Sequence, residues 1–407
     1  MLTICSHKET LNRLISLMVR PAHHERNQPI TVRPEPFGYA QESPVEGLIQ
    51  SSHNHCSAAV MSVRFKHLMC FILPISTFLF LITGLHGIAS SLAWTIPFWL
   101  VLLADWLCPD FKPESNPKYS QKFYDGILYT LTFLQLANII FMLGYVSQLR
   151  WESTNDIVIS LVNLVAIRFL VATSSGTSGI VVAHELIHRQ QLTLQLLGRF
   201  LLCSVCYEHF VIAHKRGHHL NLGMPDDIAT AKLDENFKDY WQRVYLGYLR
   251  YAWRSEQDRL TLSPNQHGII HNQVFQGLLL EFMLLTLIIV YYGWLAAFMF
   301  LYQAIAAVRI LETVNYFQHW GLENGQFGKT YGWVSHSSIS RYVLIGLPHH
   351  IGHHEDENKH FHEIAYSDQG PILPYGYFVM NLWVKLNNAS YQKMAVLELE
   401  KFYRSQL

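Results

Sequence analysis

Apolar residues along this chain neither alternate nor keep to one helical face; they come in long unbroken runs. Near 68–85, 90–107, 123–146, 157–183, 274–292 and 294–316 the sequence carries almost no charge. Roughly 18–20 such residues suffice to cross about 30 Å of hydrocarbon as a helix. The first two runs are separated only by His86-Gly87-Ile88 and the last two by the break at Gly293, so each pair reads as a helical hairpin. A soluble core would have to hide all six runs from water, whereas a membrane solvates them directly. The pattern predicts an all-α membrane protein of six transmembrane helices, one integral-membrane domain over 67–407. A tail over 1–66 precedes it. The first 60 residues hold prolines, serines and scattered histidines (His7, His23, His24, His53, His55) without apolar periodicity. They read as a mobile segment. Acids such as Glu9 and Glu25 argue against a mitochondrial transit peptide. Met61, directly before the first span, is a candidate initiator.

Charge assigns the sides. Lys and Arg number 7 in residues 1–66, 3 in 108–122, 10 in 184–273 and 7 after residue 318, against Arg150 alone in the opposite loops. Those four segments share a side only if the spans number six. By the positive-inside rule that side is cytoplasmic, with both termini on it. Composition agrees: 50% hydrophobic and 15% charged, against about 25% charged in soluble domains. Thirty basic residues balance thirty acidic ones, so no net field recruits nucleic acid. Six scattered cysteines give no disulfide framework, and Cys203-x-x-Cys206 inside an apolar stretch reads as packing.

Histidine is in excess, with 23 residues, and it clusters where spans end on the cytoplasmic side. His184-Glu185-Leu186-Ile187-His188 follows the fourth span. His214-Lys215-Arg216-Gly217-His218-His219 follows an apolar stretch, 192–212, that could dip into the membrane surface. His319 closes the sixth span. His349-His350-Ile351-Gly352-His353-His354 comes last, with His360 and His362 close behind. Rings at i and i+4 share a helix face and can reach one ion. A closed tetrahedral zinc site takes four ligands; nine motif-placed rings suit two ions with four or five nitrogens each. Imidazole alone does not choose among Zn, Cu, Fe and Ni. The absence of Cys and Met from the motifs disfavours Cu(I), and iron has the redox chemistry that an open site beside a membrane-buried substrate would use. Glu185, Asp226, Asp227, Glu312 and Glu355 are candidates to accept the outer ring N–H groups, with Asn315, Thr313 and Gln318 as neighbouring polar groups. Arg168 and Arg309 lie inside apolar spans, where a charge points to function.

The order of motifs resembles the membrane-bound alkane monooxygenases, within the wider fatty acid desaturase and hydroxylase superfamily. A HELxH motif, a HxxGHH-type motif, Asn315-Tyr316-x-x-His319-x-Gly321 and a HxxHH motif occur in that order over roughly 67–385. His209, Met224 to Thr230 and Leu373 to Phe378 echo it further. The third motif is peculiar to the alkane and xylene branch. The resemblance implies six transmembrane helices with a cytoplasmic cap holding a diiron centre. Its ligands would be His184, His188, His214, His218, His219, His319, His350, His353 and His354. It implies two non-haem irons, O2 as co-substrate, and hydroxylation of an unactivated C–H on a hydrophobic substrate drawn from the bilayer. Electrons would come from a separate rubredoxin- or ferredoxin-type carrier with its NAD(P)H reductase. The host would be a bacterial inner membrane or the endoplasmic reticulum. The chain departs from the branch at Gln318 and Ala213, where Glu is usual, at Arg189, where Lys is, and at Pro348-His349. Gln318 with Trp320 leans towards a xylene-type or biosynthetic relative. The rival readings are a desaturase, ketolase or epoxidase on the same frame, an intramembrane zinc protease with Glu185 as base, and a metal transporter. The protease leaves seven motif histidines unused, and the transporter needs ligands near the midplane.

Overall fold

A computed structural model describes residues 63–107, 120–263, 268–322 and 332–406. The tail expected over 1–62, Met61 included, lies outside them, as does most of the basic link 108–119. Among the described residues every regular element is helical, and one isolated bridge pairs Val334 with Ile372.

Among the described residues five helices are long and apolar enough to cross a membrane: α1 (Phe65–Ile82), α2 (Ile88–Leu107), α3 (Gln121–Ser147), α4 (Thr154–Ile187) and α7 (Gln273–His319). Between α4 and α7 lie α5 (Leu192–Cys203) and α6 (Phe237–Thr261); α8 (Ser338–Val343), α9 (His350–Glu355), α10 (Tyr377–Leu386) and α11 (Asn388–Gln406) follow. The six expected runs map onto five helices because α7 takes in the last two. It runs 47 residues and breaks only at Gly293, where φ is 84° and ψ 175°, a conformation that glycine supplies at little cost. The halves fold back on each other there. Glu281 accepts the Glu208 N–H at 3.0 Å, and Gln303 donates to the Ser204 carbonyl at 3.0 Å. A straight helix would hold residues 281 and 303 about 33 Å apart, too far for both to reach one short segment.

Large apolar side chains of these helices face outward: Phe133 is 66% exposed and Trp294 76%. Such a belt is untenable in water and natural in lipid. Inside the bundle, polar groups bond across helices. Asn138 donates to the Pro74 carbonyl at 3.1 Å and Asn163 to the His86 carbonyl at 2.8 Å. Ser153 and Asp156 cap the start of α4 reciprocally.

One departure from the sequence reading bears on the site. Helix α4 does not stop where its apolar run does; it continues through His184, so the first motif occupies its last turn. Helix α5 packs on that end of α4 and leaves Leu192, Leu196 and Phe200 exposed, an i, i+4, i+8 stripe suited to a membrane interface. Asp105, buried on α2, accepts hydrogen bonds from the backbone N–H groups of Phe378 and Val379 and from the hydroxyls of Ser337 and Ser340. It thereby anchors the N-termini of α8 and α10 to the bundle.

Candidate metal centre

The nine motif histidines converge into two adjoining groups. His184, His188, His214, His219 and His353 form one; His218, His319, His350 and His354 form the other. Within each group the potential ligand atoms lie within 4.8 Å of one another. Ring nitrogens point inward: His214 Nε2 is 3.2 Å from His188 Nε2 and 3.0 Å from His219 Nε2. In the second group His350 Nε2 is 2.9 Å from both His319 Nε2 and His354 Nε2. Nitrogens at about 2.1 Å from one ion and at right angles to it would be about 3 Å apart. The spacing therefore fits metal coordination, whereas nitrogens without a shared proton or ion would repel. The inner Nε2 atoms of His218 and His353 are buried and have no protein partner, as expected of groups aimed at an ion.

Local backbone form sorts the motifs between the groups. His184 and His188 share one face of the last turn of α4, with ring centroids 5.0 Å apart. The second motif lies on a π-helical turn, Ala213–His218, that runs into His219–Asn221. In an α-helix residues five apart point about 140° away from each other; the wider π turn brings His214 and His219 to one side. It sends His218 to the other, where its ring centroid is 4.8 Å from that of His319. Helix α9 divides likewise, His350 and His354 facing the second group and His353 the first.

Burial, with the neighbouring rings second, holds His214, His350, His353 and His354 well below the usual imidazole range. Neutral rings keep a lone pair for a metal. Two carboxylates stand at the outer nitrogens. Asp227 receives the Nδ1 of His218 at 3.0 Å and also accepts from the Ala229 N–H and the Thr230 hydroxyl. Burial would raise Asp227, but the His218 ring and these donors win and hold it at about 2. Glu357 stands 3.4 Å from His188 Nδ1 and 3.2 Å from His219 Nδ1. Its carboxyl lies below the ordinary range, chiefly through His188.

Of the carboxylates expected to hold rings, only Asp227 does so. Glu185 pairs with Arg189 at 2.9 Å and accepts the Phe361 N–H at 3.1 Å, fastening the end of α4 to the loop after α9. Glu312 accepts from Tyr207, Tyr240 and Asn315. Asp226 and Glu355 are exposed, and Gln318 donates to the Tyr377 hydroxyl at 2.8 Å. Glu357 escaped the sequence reading. Its signal was position alone, three residues beyond the HxxHH motif. His349 turns from the cluster towards the Ile364 carbonyl, and His209 belongs to neither group. Cys203 and Cys206 are free thiols.

A small pocket of about 20 Å³ adjoins the rings, lined by Val181, His184, Glu185, Leu347, His350 and His353 among others. Val181 and Leu347 also end a larger apolar cavity of about 140 Å³ that runs down α4 past Thr177, Gly176 and Thr173. Gly176 is part of its wall, and a Cβ there would press on Ile310 at 3.1 Å. Ala172, four residues before Gly176, is fully buried outside that wall.

The fold and site define a histidine-rich metal-binding protein of the membrane-helix class. The fatty acid desaturase family model matches residues 159–369, just over half of the chain, and the chain belongs to that family. It is 30% identical over 254 residues to alkane 1-monooxygenase 2 of Pseudomonas aeruginosa, covering 60% of this chain and 67% of the relative. It is 34% identical over 213 residues to alkane 1-monooxygenase 1 of the same organism, covering 50% and 56%. The xylene/toluene monooxygenase hydroxylase component of Pseudomonas putida is 26% identical over 203 residues, covering 49% and 55%. These relatives place the chain in the alkane and xylene monooxygenase branch. The matched segments span about half to two thirds of each relative's length.

Proposed function

We propose that this chain is an O2-dependent non-haem diiron monooxygenase that hydroxylates an unactivated alkyl C–H of a hydrophobic substrate. The observation that carries the reading is the convergence of nine histidine rings into groups of five and four, at the end of an apolar cavity. The nine histidines are the iron ligands. Two iron ions there would supply O2 binding and the electrons for its reduction. The protein's own residues do the rest. Asp227 Oδ2 holds the Nδ1 proton of His218, leaving its Nε2 lone pair inward, while the Glu357 carboxylate stands beside the Nδ1 atoms of His188 and His219. Glu185 and Arg189 fix the end of α4. The apolar wall along Thr173, Gly176 and Val181 keeps water out and aligns an alkyl chain with its end at His184, His350 and His353.

In this reading the reversal at Gly293 makes α7 two crossings, so residues 67–407 form a six-span domain behind the tail over 1–66. The histidines and both termini face the cytoplasm, in a bacterial inner membrane or the endoplasmic reticulum. Electrons arrive from a separate rubredoxin- or ferredoxin-type carrier with its NAD(P)H reductase, docking on the cap. The zinc-protease rival is disfavoured by the engagement of Glu185 with Arg189 and Phe361.

The test is product identification under 18O2 with reductant and candidate chains of graded length. An alcohol carrying one 18O atom is expected. An alkene, or an alcohol with oxygen from water, would overturn the hydroxylase assignment.

A further inference from the structure

The large cavity is apolar along most of its length but not at its far end. Arg168 and Lys385 line it there, and Arg309 lines the adjoining cleft together with Lys385. None of the three has an ion-pair partner among the described residues. The Arg168 guanidinium lies 5.6 Å from the Tyr302 ring and that of Arg309 5.7 Å from the Phe237 ring. Lys385 Nζ donates to Asn381 at 2.7 Å. Burial, and then Arg309 and Arg168, lower the Lys385 ammonium to about 7, so the three cations feel one another with no anion between them. Arg168 cannot reach water by stretching along its helix. It lies 14 residues from Thr154 and 19 from Ile187, roughly 21 Å and 28 Å at 1.5 Å per residue. Arg168 and Lys385 are partly buried and Arg309 is exposed beside them; an unpaired cation at the depth of Arg168 is costly unless something compensates it.

We propose that the cavity takes a single-chain amphiphile, its anionic headgroup held by Arg168, Arg309 and Lys385 and its terminal methyl delivered to His184, His350 and His353. The inference rests on the hydroxylase reading for what happens at that methyl, and makes the reaction an oxidation at the end remote from the headgroup. Length agrees. Arg168 precedes His184 by 16 residues, about 24 Å of helix. After the reach of the side chains at both ends, roughly 15 Å remains. At about 1.25 Å per methylene of an extended chain, that holds on the order of a dozen carbons. The wall between the two ends, Phe169, Thr173, Gly176, Thr177 and Val181 on α4, offers an alkyl chain contact without charge. A carboxylate and a phosphate would both answer the trio, since guanidinium and ammonium bind either oxyanion.

The experiment is equilibrium dialysis of the purified full chain in nanodiscs against radiolabelled dodecanoate, dodecyl phosphate, methyl dodecanoate and dodecane. Either anion is expected to bind at least about 10-fold tighter than the neutral chains, from charge-assisted contacts. The two anion arms show which oxyanion the trio prefers. Arg168→Gln with Lys385→Gln should cost the preferred anion roughly 10–100-fold and leave methyl dodecanoate within about 2-fold, while Arg168→Lys recovers most of the loss. The wild-type comparison decides the matter even if a variant fails to fold. Neutral chains binding as tightly as both anions would overturn the headgroup site and leave the hydroxylase reading standing. No chain binding at all would overturn both.

Discussion

The two histidine groups differ most in what holds them from outside. The four-histidine group leans on Asp227, whose side chain is 0% exposed and which also takes hydrogen bonds from Ala229 and Thr230. The five-histidine group leans on Glu357, 39% exposed, just beyond helix α9. One outer support is part of the packed cap and the other stands where the cap meets water. A buried carboxylate with several donors fixes a ring firmly, whereas an exposed one is screened and mobile. The groups are therefore unequal: the second has fewer nitrogens in a stiffer frame, the first has more in a looser one.

The sharpest way to break this comparison is to remove one nitrogen from each group. His319→Ala leaves three ligands in the smaller group and should take iron from about two per chain to about one. His353→Ala leaves four in the larger group and should retain most of both ions. Equal losses, read by metal analysis, would mean that the groups are not separate sites.

Next in size are the outer supports. Asp227→Ala strips His218 of its acceptor and orphans the Ala229 and Thr230 donors, so iron affinity should fall roughly 10–100-fold and the cap should lose protease resistance. Glu357→Gln should cost less, at the low end of that range, with no change in protease resistance. If Glu357→Gln proves as damaging as Asp227→Ala, exposure does not rank the two supports.

A blocking substitution sharpens the link between the groups and the cavity. Gly176→Trp should fill the channel beside Ile310 and shorten the accepted chain, or abolish turnover with iron retained. Ala172→Trp, at a fully buried site outside the cavity wall, should damage folding instead. Substrate-length profiles with metal contents separate the two outcomes.

The smallest expected effect concerns the turn that feeds both groups. Glu256 is buried and holds Arg216, between His214 and His218, at 2.6 Å; it also takes Arg259 and the Gln273 N–H. Burial would raise Glu256, but these donors prevail and hold it below the ordinary glutamate value. Its stabilisation is full above that ordinary value, near 4.5, and fades as pH falls through the lower folded one. Glu256→Gln should flatten the acid side of the stability profile and leave the neutral side slightly lower. An unchanged acid limb would show that Glu256 does not clamp the turn.

Much of this was legible in the sequence because solvent dictates it. Long apolar runs must be helical in lipid, and histidines four apart must share a helical face, so the apolar helices and the clustering of the nine rings could be read in advance. What escaped depends on backbone form or on contacts distant in sequence. The division of His214, His218 and His219 between groups follows from a π-helical turn, which the α-helical repeat does not announce. Glu357 and Asp227 looked alike as carboxylates near histidines; only folding decides which reach a ring, and Glu185 and Glu312 were claimed by Arg189 and by tyrosines instead. The reversal at Gly293 was visible as a break, but not the side chains that tie both arms to residues 204–208. That Gly176 faces the cavity and Ala172 does not is a matter of helix rotation, set by neighbours.

The most direct measurement is metal content of the purified wild-type chain after saturation with ferrous iron and removal of loosely held ions. About two irons per chain and no stoichiometric zinc are expected, one ion for each histidine group. Fully active protein holding one tightly bound zinc and no iron would contradict that.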